Sequence, residues 1–375
     1  MKIAPRPKGT AAKALISGVS LVICAALRLL PAQAAGPSPV APYSVSTFAV
    51  SENGYSAPDS VTFSSTRVFV GYGNGGAPDG SGGAMSTLVK YDMSGTVLKT
   101  FTVIGHNDGL RFNNQTGELW ALQNEDANST LIIIDPASGA QKTYTIGTGP
   151  HGGGYDDLDF DGSSVFVSAS NPSVETAPAI ASLTLKGKKA ILTGVINDDA
   201  SATDVTTGKT VTLNLTDPDS MILDPFGELL LDSQQDGELV VVQHPGRRCQ
   251  NVLVVPLTSE AGGSTIGDTT FDDTVFANAP QGELLVADKD AESVYAITAP
   301  YFAPGAAYSA VVVVSPPITG STVVAFVGQT NLTTGFVTPI VNGLQNPGGM
   351  AFIPANHNPH LGPAVGDQEN SECPQ

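Results

Sequence analysis

The chain has 375 residues, with 17 Lys and Arg against 35 Asp and Glu and a formal net charge of −18. A surface this acidic repels nucleic acid and anionic lipid, which argues against both as partners. The charge fits either a protein that binds cations or cationic partners, or one that is merely kept dispersed.

The first 34 residues have the order of a secretory signal peptide. Basic residues without any acidic ones precede an apolar run over residues 14–30, and residues 32–34 form a small-x-small cleavage motif. We therefore expect cleavage near Ala34 and a secreted or periplasmic product. No other apolar run is long enough to cross a bilayer as a helix, so we expect no membrane span.

Residues 35–355 predict a single all-β domain. Short β-branched runs alternate with Gly- and Pro-containing turns, and no convincing amphipathic helix interrupts them. After a strand-like run at residues 43–50, a short strand recurs six times, five times with Asp at its start. The six segments are residues 59–63, 108–112, 156–160, 219–223, 273–277 and 348–352. Their spacing is typical of four-stranded propeller blades.

A tight turn and a second apolar run follow each of the first five segments, as in a β-hairpin. These second runs are residues 68–70, 119–121, 165–167, 229–231 and 284–286. The pattern predicts a six-bladed β-propeller, closed by the run at residues 43–50 joining the last blade. Extra strand candidates at residues 311–314, 323–327 and 336–341 leave seven blades open.

In this repeat phase and strand-turn-strand pattern, residues 43–353 resemble the β-propeller group that includes NHL-repeat, YncE-like and SMP-30/gluconolactonase-like proteins. The SMP-30-like resemblance implies a metal-dependent hydrolase or lactonase that holds calcium with a glutamate, asparagines and an aspartate. Glu125, Asn171 and either Asp219 or Asp273 could form that set. The usual leading Glu-Gly-Pro segment is replaced here by Ala-Pro-Asp at residues 57–59.

Two rows of oxygen-bearing side chains are expected to meet on one face of the ring. The first strand of a blade starts on the face where the antiparallel second strand ends. The candidate metal ligands are Asp108, Glu125, Asp156, Asn171, Asp219 and Asp273. The candidate ligand-binding residues are Asp59, Asn74, Gln123, Tyr155, Gln235 and Asp290.

Calcium fits this mixture because it takes six to eight oxygen ligands, and a cation would relieve repulsion among the carboxylates. The same aspartates could instead hold their own turns by accepting hydrogen bonds from backbone amides.

Two histidines, His106 and His151, precede the acidic segments in loops that enter the same face. Neighbouring carboxylates would raise their proton affinity, which suits a general acid or base, although a loop histidine can also be merely solvated. The glycine-rich stretches at residues 73–83 and 152–154 are not followed by a helix or by the Lys-Ser/Thr of a phosphate loop.

Three functions remain open. The first is a secreted propeller that binds a small molecule or a protein partner at an acidic, calcium-binding channel mouth. The second is a metal-dependent hydrolase or lactonase of SMP-30-like type, with His106 or His151 moving the proton. The third is a propeller lyase that uses similar groups.

The end of the chain reads as an extended tail. Residues 356–375 are rich in Pro, Gly, Asn and Glu. Cys249 and Cys373 remain after cleavage, and a disulfide between them would tie this tail to the body.

Overall fold

The computed structural model describes residues 36–147, 149, 152–174, 176–261, 264–265, 269–314 and 323–355. The predicted signal peptide, His151 and the predicted tail with Cys373 lie outside these residues. Cys249 is disulfide-bonded. Among the described residues no helix is both long and apolar enough to span a membrane.

The fold is all-β, and the helical content of the described residues is one 3-10 turn at Ser81–Gly83. The strands up to residue 145 are β1 (Ser38–Pro39), β2 (Ser44–Val50), β3 (Pro58–Ser64), β4 (Arg67–Tyr72), β5 (Met85–Tyr91), β6 (Val97–Ile104), β7 (Asn107–Asn113), β8 (Glu118–Gln123), β9 (Thr130–Ile134) and β10 (Gln141–Thr145). Those up to residue 256 are β11 (Tyr155–Asp161), β12 (Ser164–Ala169), β13 (Pro178–Lys186), β14 (Lys189–Asn197), β15 (Ser201–Asp204), β16 (Thr210–Thr212), β17 (Pro218–Leu223), β18 (Leu229–Ser233), β19 (Glu238–Gln243) and β20 (Asn251–Pro256). The remainder are β21 (Thr258–Ala261), β22 (Ser264–Thr265), β23 (Thr269–Phe276), β24 (Gly282–Asp288), β25 (Ser293–Thr298), β26 (Ala307–Val314), β27 (Val323–Thr330), β28 (Phe336–Leu344) and β29 (Pro347–Pro354).

In the described residues the strands form five sheets. Their strand orders are β3-β4-β5-β6, β11-β12-β13-β14-β10-β9-β8-β7, β16-β15-β20-β19-β18-β17, β22-β21-β28-β27-β26-β23 with β1 beside β28, and β2-β25-β24-β29. The second sheet consists of two antiparallel halves joined by a single parallel pair, Thr145 with Lys189. Its end strands β7 and β11 lie against each other, so this sheet nearly closes.

Six strands form an inner layer, namely β3, β7, β11, β17, β23 and β29. Each packs against the next in this order, and β29 packs against β3. Every segment of the repeat found in the sequence lies on one of these strands, except that Ala277 follows the end of β23. The contacts therefore link the six segments in a closed cycle.

Each inner strand carries a β-bulge at the same register, where two residues of the inner strand oppose one of its partner. In β3, for example, Pro58 pairs with Tyr72 and Val61 with Val70, and the other five strands repeat this shift. The first bulge residues are Asp59, Asp108, Asp156, Asp219, Asp272 and Gly348. The second are Ser60, Gly109, Asp157, Ser220, Asp273 and Gly349. A bulge re-aims side chains, and here it presents five aspartates from equivalent positions.

Two of these bulges need glycine because a neighbouring backbone comes too close for a side chain. A Cβ on Gly109 would lie 2.4 Å from Asp156 O, and one on Gly349 would lie 2.1 Å from Asp59 O. The glycines thus allow adjacent inner strands to approach.

The fifth repeat differs from its prediction in two ways. The register places Asp272, not Asp273, at the first bulge position, so the sequence alignment was wrong by one residue. The predicted hairpin partner of β23, residues 284–286, belongs to β24, which pairs with β29 instead.

The chain leaves β23, builds β24 and β25 in the next sheet, and returns to pair β26 with β23. The turn signal at residues 280–282 marked a real connection but could not show which sheet the chain enters. The extra strand candidates are β26 to β28, which complete the sheet of β23.

The early run forms β2, which pairs antiparallel with β25 in the sheet that contains β29. Apolar side chains pack between neighbouring sheets. Phe69 of β4, for example, stacks on Phe112 of β7 with ring centroids 5.5 Å apart. Full burial of such a side chain stabilises the fold by about 1.5–3 kcal/mol.

Candidate cation site

The five first-bulge aspartates, hereafter the acidic ring, interact with one another in sequence around the inner layer. Charge interactions couple Asp59 to Asp108, Asp108 to Asp156, Asp156 to Asp219, Asp219 to Asp272, and Asp272 back to Asp59. The repeat therefore does bring its acidic residues to one place.

Burial and mutual repulsion make full ionisation of this ring costly. Burial raises the pKa of Asp156 well above its usual value, and the nearby Asp219 raises it further. The pKa values of Asp219 and Asp272 are likewise raised well above normal, first by burial and then by neighbouring aspartates. A proton or a cation shared among these groups would relieve the cost.

Glu125, in the loop after β8, adds a sixth carboxyl and hydrogen-bonds to Asp108. Burial and the Asp108 charge raise the pKa of Glu125 well above its usual range. Burial also opposes ionisation of Asp108, but the hydrogen bond from Glu125 and the charges of Lys289 and His106 together outweigh it and lower the pKa of Asp108. The opposite pKa shifts favour a proton on Glu125 and a charge on Asp108.

Two overlapping triads have the spacing of metal ligands. Asp108, Glu125 and Asp156 each offer an oxygen, and these atoms lie within 4.8 Å of one another; Asp59, His106 and Asp108 satisfy the same limit. Calcium–oxygen distances are about 2.3–2.6 Å, so oxygens that share one calcium lie within about 5 Å of each other. The all-oxygen triad therefore fits a calcium-type cation.

Lys289 lies beside the Asp59–His106–Asp108 triad, and His106 of that triad lies near Glu125 of the other. Lys289 Nζ lies 2.8 Å from Asp59 Oδ2, and His106 Nε2 lies 4.0 Å from Glu125 Oε1. His106 Nδ1 is buried and has no hydrogen-bond partner among the described residues. The charge of Lys289 thus lies against Asp59 and also interacts with Asp108, the residue that the two triads share.

A second group of charges, hereafter the Arg111 layer, comprises Arg111, Asp157, Asp159 and Asp273. Arg111 Nη2 donates to Asp157 Oδ2 at 2.5 Å and to Met221 O at 2.9 Å. One carboxylate oxygen of each of these acids accepts from the next inner strand, and Asp157 Oδ1 and Asp273 Oδ1 are buried without a hydrogen-bond partner among the described residues.

Backbone amides donate to all three acids of this layer. Met221 N donates to Asp157 Oδ2 at 3.1 Å, Leu223 N to Asp159 Oδ2 at 2.7 Å and Met350 N to Asp273 Oδ2 at 2.6 Å. Each bond joins one inner strand to the next, so the Arg111 layer holds the inner layer together.

A cavity of about 20 Å³ lies between the two groups and is lined by residues of both, including Asp59, Asp156, Asp157 and Asp272. A volume of this size holds about one water-sized species.

Of the predicted metal ligands, four lie in the acidic ring or beside it: Asp108, Glu125, Asp156 and Asp219. Asp273 lies in the Arg111 layer. Asn171 is on an exposed loop, where its Nδ2 donates to the Asp126 carboxylate.

Of the predicted ligand-binding residues, only Asp59 belongs to the acidic ring. Asn74 Oδ1 accepts from Ser56 N at 2.9 Å, and Gln235 Nε2 donates to Asp217 Oδ2 at 2.9 Å. Both side chains therefore hold loops.

The other three have different surroundings. Gln123 is fully buried and donates to Leu122 O at 2.7 Å, and Tyr155 is also buried. Asp290 is exposed.

Sequence reasoning missed Asp272, Lys289 and Arg111. The doublet at residues 272–273 repeats the one at residues 156–157, and aligning the doublets would have corrected the register. Arg111 was marked only by being a basic residue inside an acidic repeat. Lys289 carried no usable signal, because its sheet was assigned to the wrong repeat.

No family model matches the chain, and no curated protein does either. One solved structure of limited similarity comes from a study of PorZ of Porphyromonas gingivalis, described there as an essential bacterial surface component of the type-IX secretion system. The match has 8% sequence identity and a TM-score of 0.36, and it covers 74% of this chain and 60% of that one. The chain thus spans less than two thirds of the PorZ chain, and similarity this distant supports no inference about function.

Proposed function

We propose that the described domain is a six-bladed β-propeller closed by β2, with the inner strands lining its central channel. The support is the closed cycle of contacts among the inner strands, each of which begins a run of four antiparallel strands; the sheets of β17 and β23 continue beyond that run through a parallel pair. In this arrangement the acidic ring surrounds one mouth of the channel.

The protein's function, we infer, is to bind a calcium-type divalent cation at Asp108, Glu125 and Asp156 and, through it, a ligand. The observation that carries this proposal is the all-oxygen triad, whose ligand atoms lie within 4.8 Å of one another. A cation bound there satisfies three carboxyls at once. Three protein ligands leave further coordination positions for oxygens of a small molecule or a protein partner.

Calcium titration of the whole chain by calorimetry tests this proposal. We expect one calcium per chain, and at 100-fold excess over Kd a stabilisation of about 2.7 kcal/mol that EGTA reverses. E125Q should abolish both effects, because an amide supplies one oxygen at most and no charge. D290N, at an exposed acid outside the ring, is the matched control and should bind like the parent. Absence of binding, or equal binding by E125Q, would contradict the site.

A metal-dependent hydrolase is the second candidate, favoured by the position of His106 beside Glu125 and the acidic ring. A cation here would polarise an ester carbonyl, and His106 would transfer the proton. A panel of lactones and aryl esters, assayed with calcium, separates the candidates. Turnover that is lost in H106A while calcium binding persists supports the hydrolase, and no turnover by the parent chain supports the binding protein. A lyase would act on neither substrate class.

A further inference from the structure

The sixth inner strand contributes no carboxylate to the acidic ring, because Gly348 occupies its first bulge position. A Cβ there would lie 3.4 Å from both carboxylate oxygens of Asp272 and 3.4 Å from Asp59 Oδ1. The two aspartates therefore converge where the sixth acid would have been. In place of an acid, the same sheet supplies Lys289 from the loop that follows β24.

Lys289 is anchored by its backbone and surrounded by acids. Its N–H donates to Asn346 O at 2.9 Å. The preceding Asp288 accepts from Gln345 N at 2.9 Å and Asn346 N at 2.8 Å, which fixes the loop to the start of β29. The ammonium lies 2.8 Å from Asp59 Oδ2 and interacts with Asp108 and Asp272, which raise the pKa of Lys289 further above its usual value.

The two ligand triads share Asp108 but differ in their surroundings. The Asp59–His106–Asp108 triad has the Lys289 ammonium against it, whereas the charge of Lys289 does not contact Glu125 or Asp156. One triad thus already interacts with a cation that belongs to the chain.

We propose that Lys289 is a built-in cation that occupies the Asp59–His106–Asp108 half of the ring and thereby limits the site to one external divalent cation. This inference rests on the proposed cation site at the other triad. A lysine ammonium is a compact point charge with three donors, so it can replace an ion among carboxylates. Without it, the freed half offers two carboxylates and an imidazole, a donor set that accepts Co²⁺ better than calcium.

Metal titrations of the full-length chain with Ca²⁺ and Co²⁺ test this inference. The parent chain should bind one divalent cation. K289M and K289Q should each gain one Co²⁺ site, with visible absorption from cobalt bound by an imidazole. That absorption should disappear when H106N is added to either variant. K289R, which keeps the charge, should gain no site, and neither should K142M, the control at an exposed lysine.

The inference is overturned if K289M and K289Q bind both metals with the parent's stoichiometry and affinity, or if the parent itself binds a second, His106-dependent Co²⁺. The proposed calcium site fails separately. If neither the parent nor K289M binds calcium, that site is wrong, yet a His106-dependent Co²⁺ site gained in K289Q still supports the role of Lys289. If K289M does not fold, the metal titration of K289Q decides the test, because this variant is uncharged but keeps hydrogen-bonding groups.

Discussion

The acidic ring and the Arg111 layer are built from neighbouring positions of the same bulges, yet their acids have opposite surroundings. Asp156 is coupled mainly to other carboxylates, whereas the adjacent Asp157 accepts from Arg111 and from Met221 N. The same contrast holds for Asp272 and Asp273. One residue along the strand thus separates an acid left available for a cation from an acid engaged in holding the inner layer together.

Removing the cation of the Arg111 layer should have the largest effect. We expect R111M to lower the free energy of unfolding by about 3–5 kcal/mol, because it leaves buried Asp157 and Asp273 without their counter-charge. Urea denaturation at pH 8 measures the loss. R67M, at a surface arginine that donates to the backbone, should change stability by less than about 0.5 kcal/mol. If R111M loses no more stability than R67M, the Arg111 layer does not hold the inner layer together.

Stability of the metal-free chain should fall as the pH rises. Burial raises the pKa of Asp157 to about 7, despite Arg111, and that of Asp273 to about 6, against usual values of 3.8. Raised pKa values mean that the folded state holds protons that the unfolded state releases, so their contribution is complete below pH 4 and is lost between about pH 4 and 7. Thermal melts in EGTA across this range should decline. A melting temperature that rises with pH instead would show that the partners of Asp157 and Asp273 fully offset the cost of burying their charges. Saturating calcium should remove only the part of the decline that comes from the acidic ring, where the pKa values of Asp156, Asp219 and Asp272 are also raised.

Exchanging the two adjacent acids of β23 for amides should give opposite results. We expect D273N to be the more destabilising of the two, because it weakens the bond from Met350 N and the attraction to Arg111, which partly offset the cost of burying the ionised Asp273. D272N should not destabilise the metal-free chain, since it removes a repelling charge from the ring. Melting temperatures at pH 8 in EGTA compare the two. Equal destabilisation would mean that the register of the bulge does not separate their roles.

The smallest expected effect is at Asn74, which lies in a loop beside neither group. N74G keeps the positive φ of 54° accessible but removes hydrogen bonds to Ser56 N and Met85 O. We expect about 1 kcal/mol of destabilisation and unchanged calcium affinity, measured by denaturation and calorimetry. A large drop in calcium affinity would show that Asn74 does contribute to the binding site, as its sequence position predicted.

The contrast also shows what the sequence could reveal. Period, turn residues and strand composition located all six inner segments, because a repeated hairpin repeats its local signals. The same signals placed Asp59, Asp108, Asp156 and Asp219 together. They failed at Asp273, since a one-residue shift inside a bulge leaves the alternation of apolar residues unchanged. They also failed at Lys289, whose position depends on long-range pairing of β24 with β29, which no local pattern encodes.

The crossing of the chain between the sheets of β23 and β29 has a consequence for assembly. Neither sheet is complete until β26 to β29 have been synthesised, and β2, from the opposite end, must then dock on β25. Pairings over such sequence separations delay folding. A nascent chain that stops short of residue 307 would expose two unfinished sheet edges. We therefore expect the cycle of six inner strands to close late in folding and in one cooperative step.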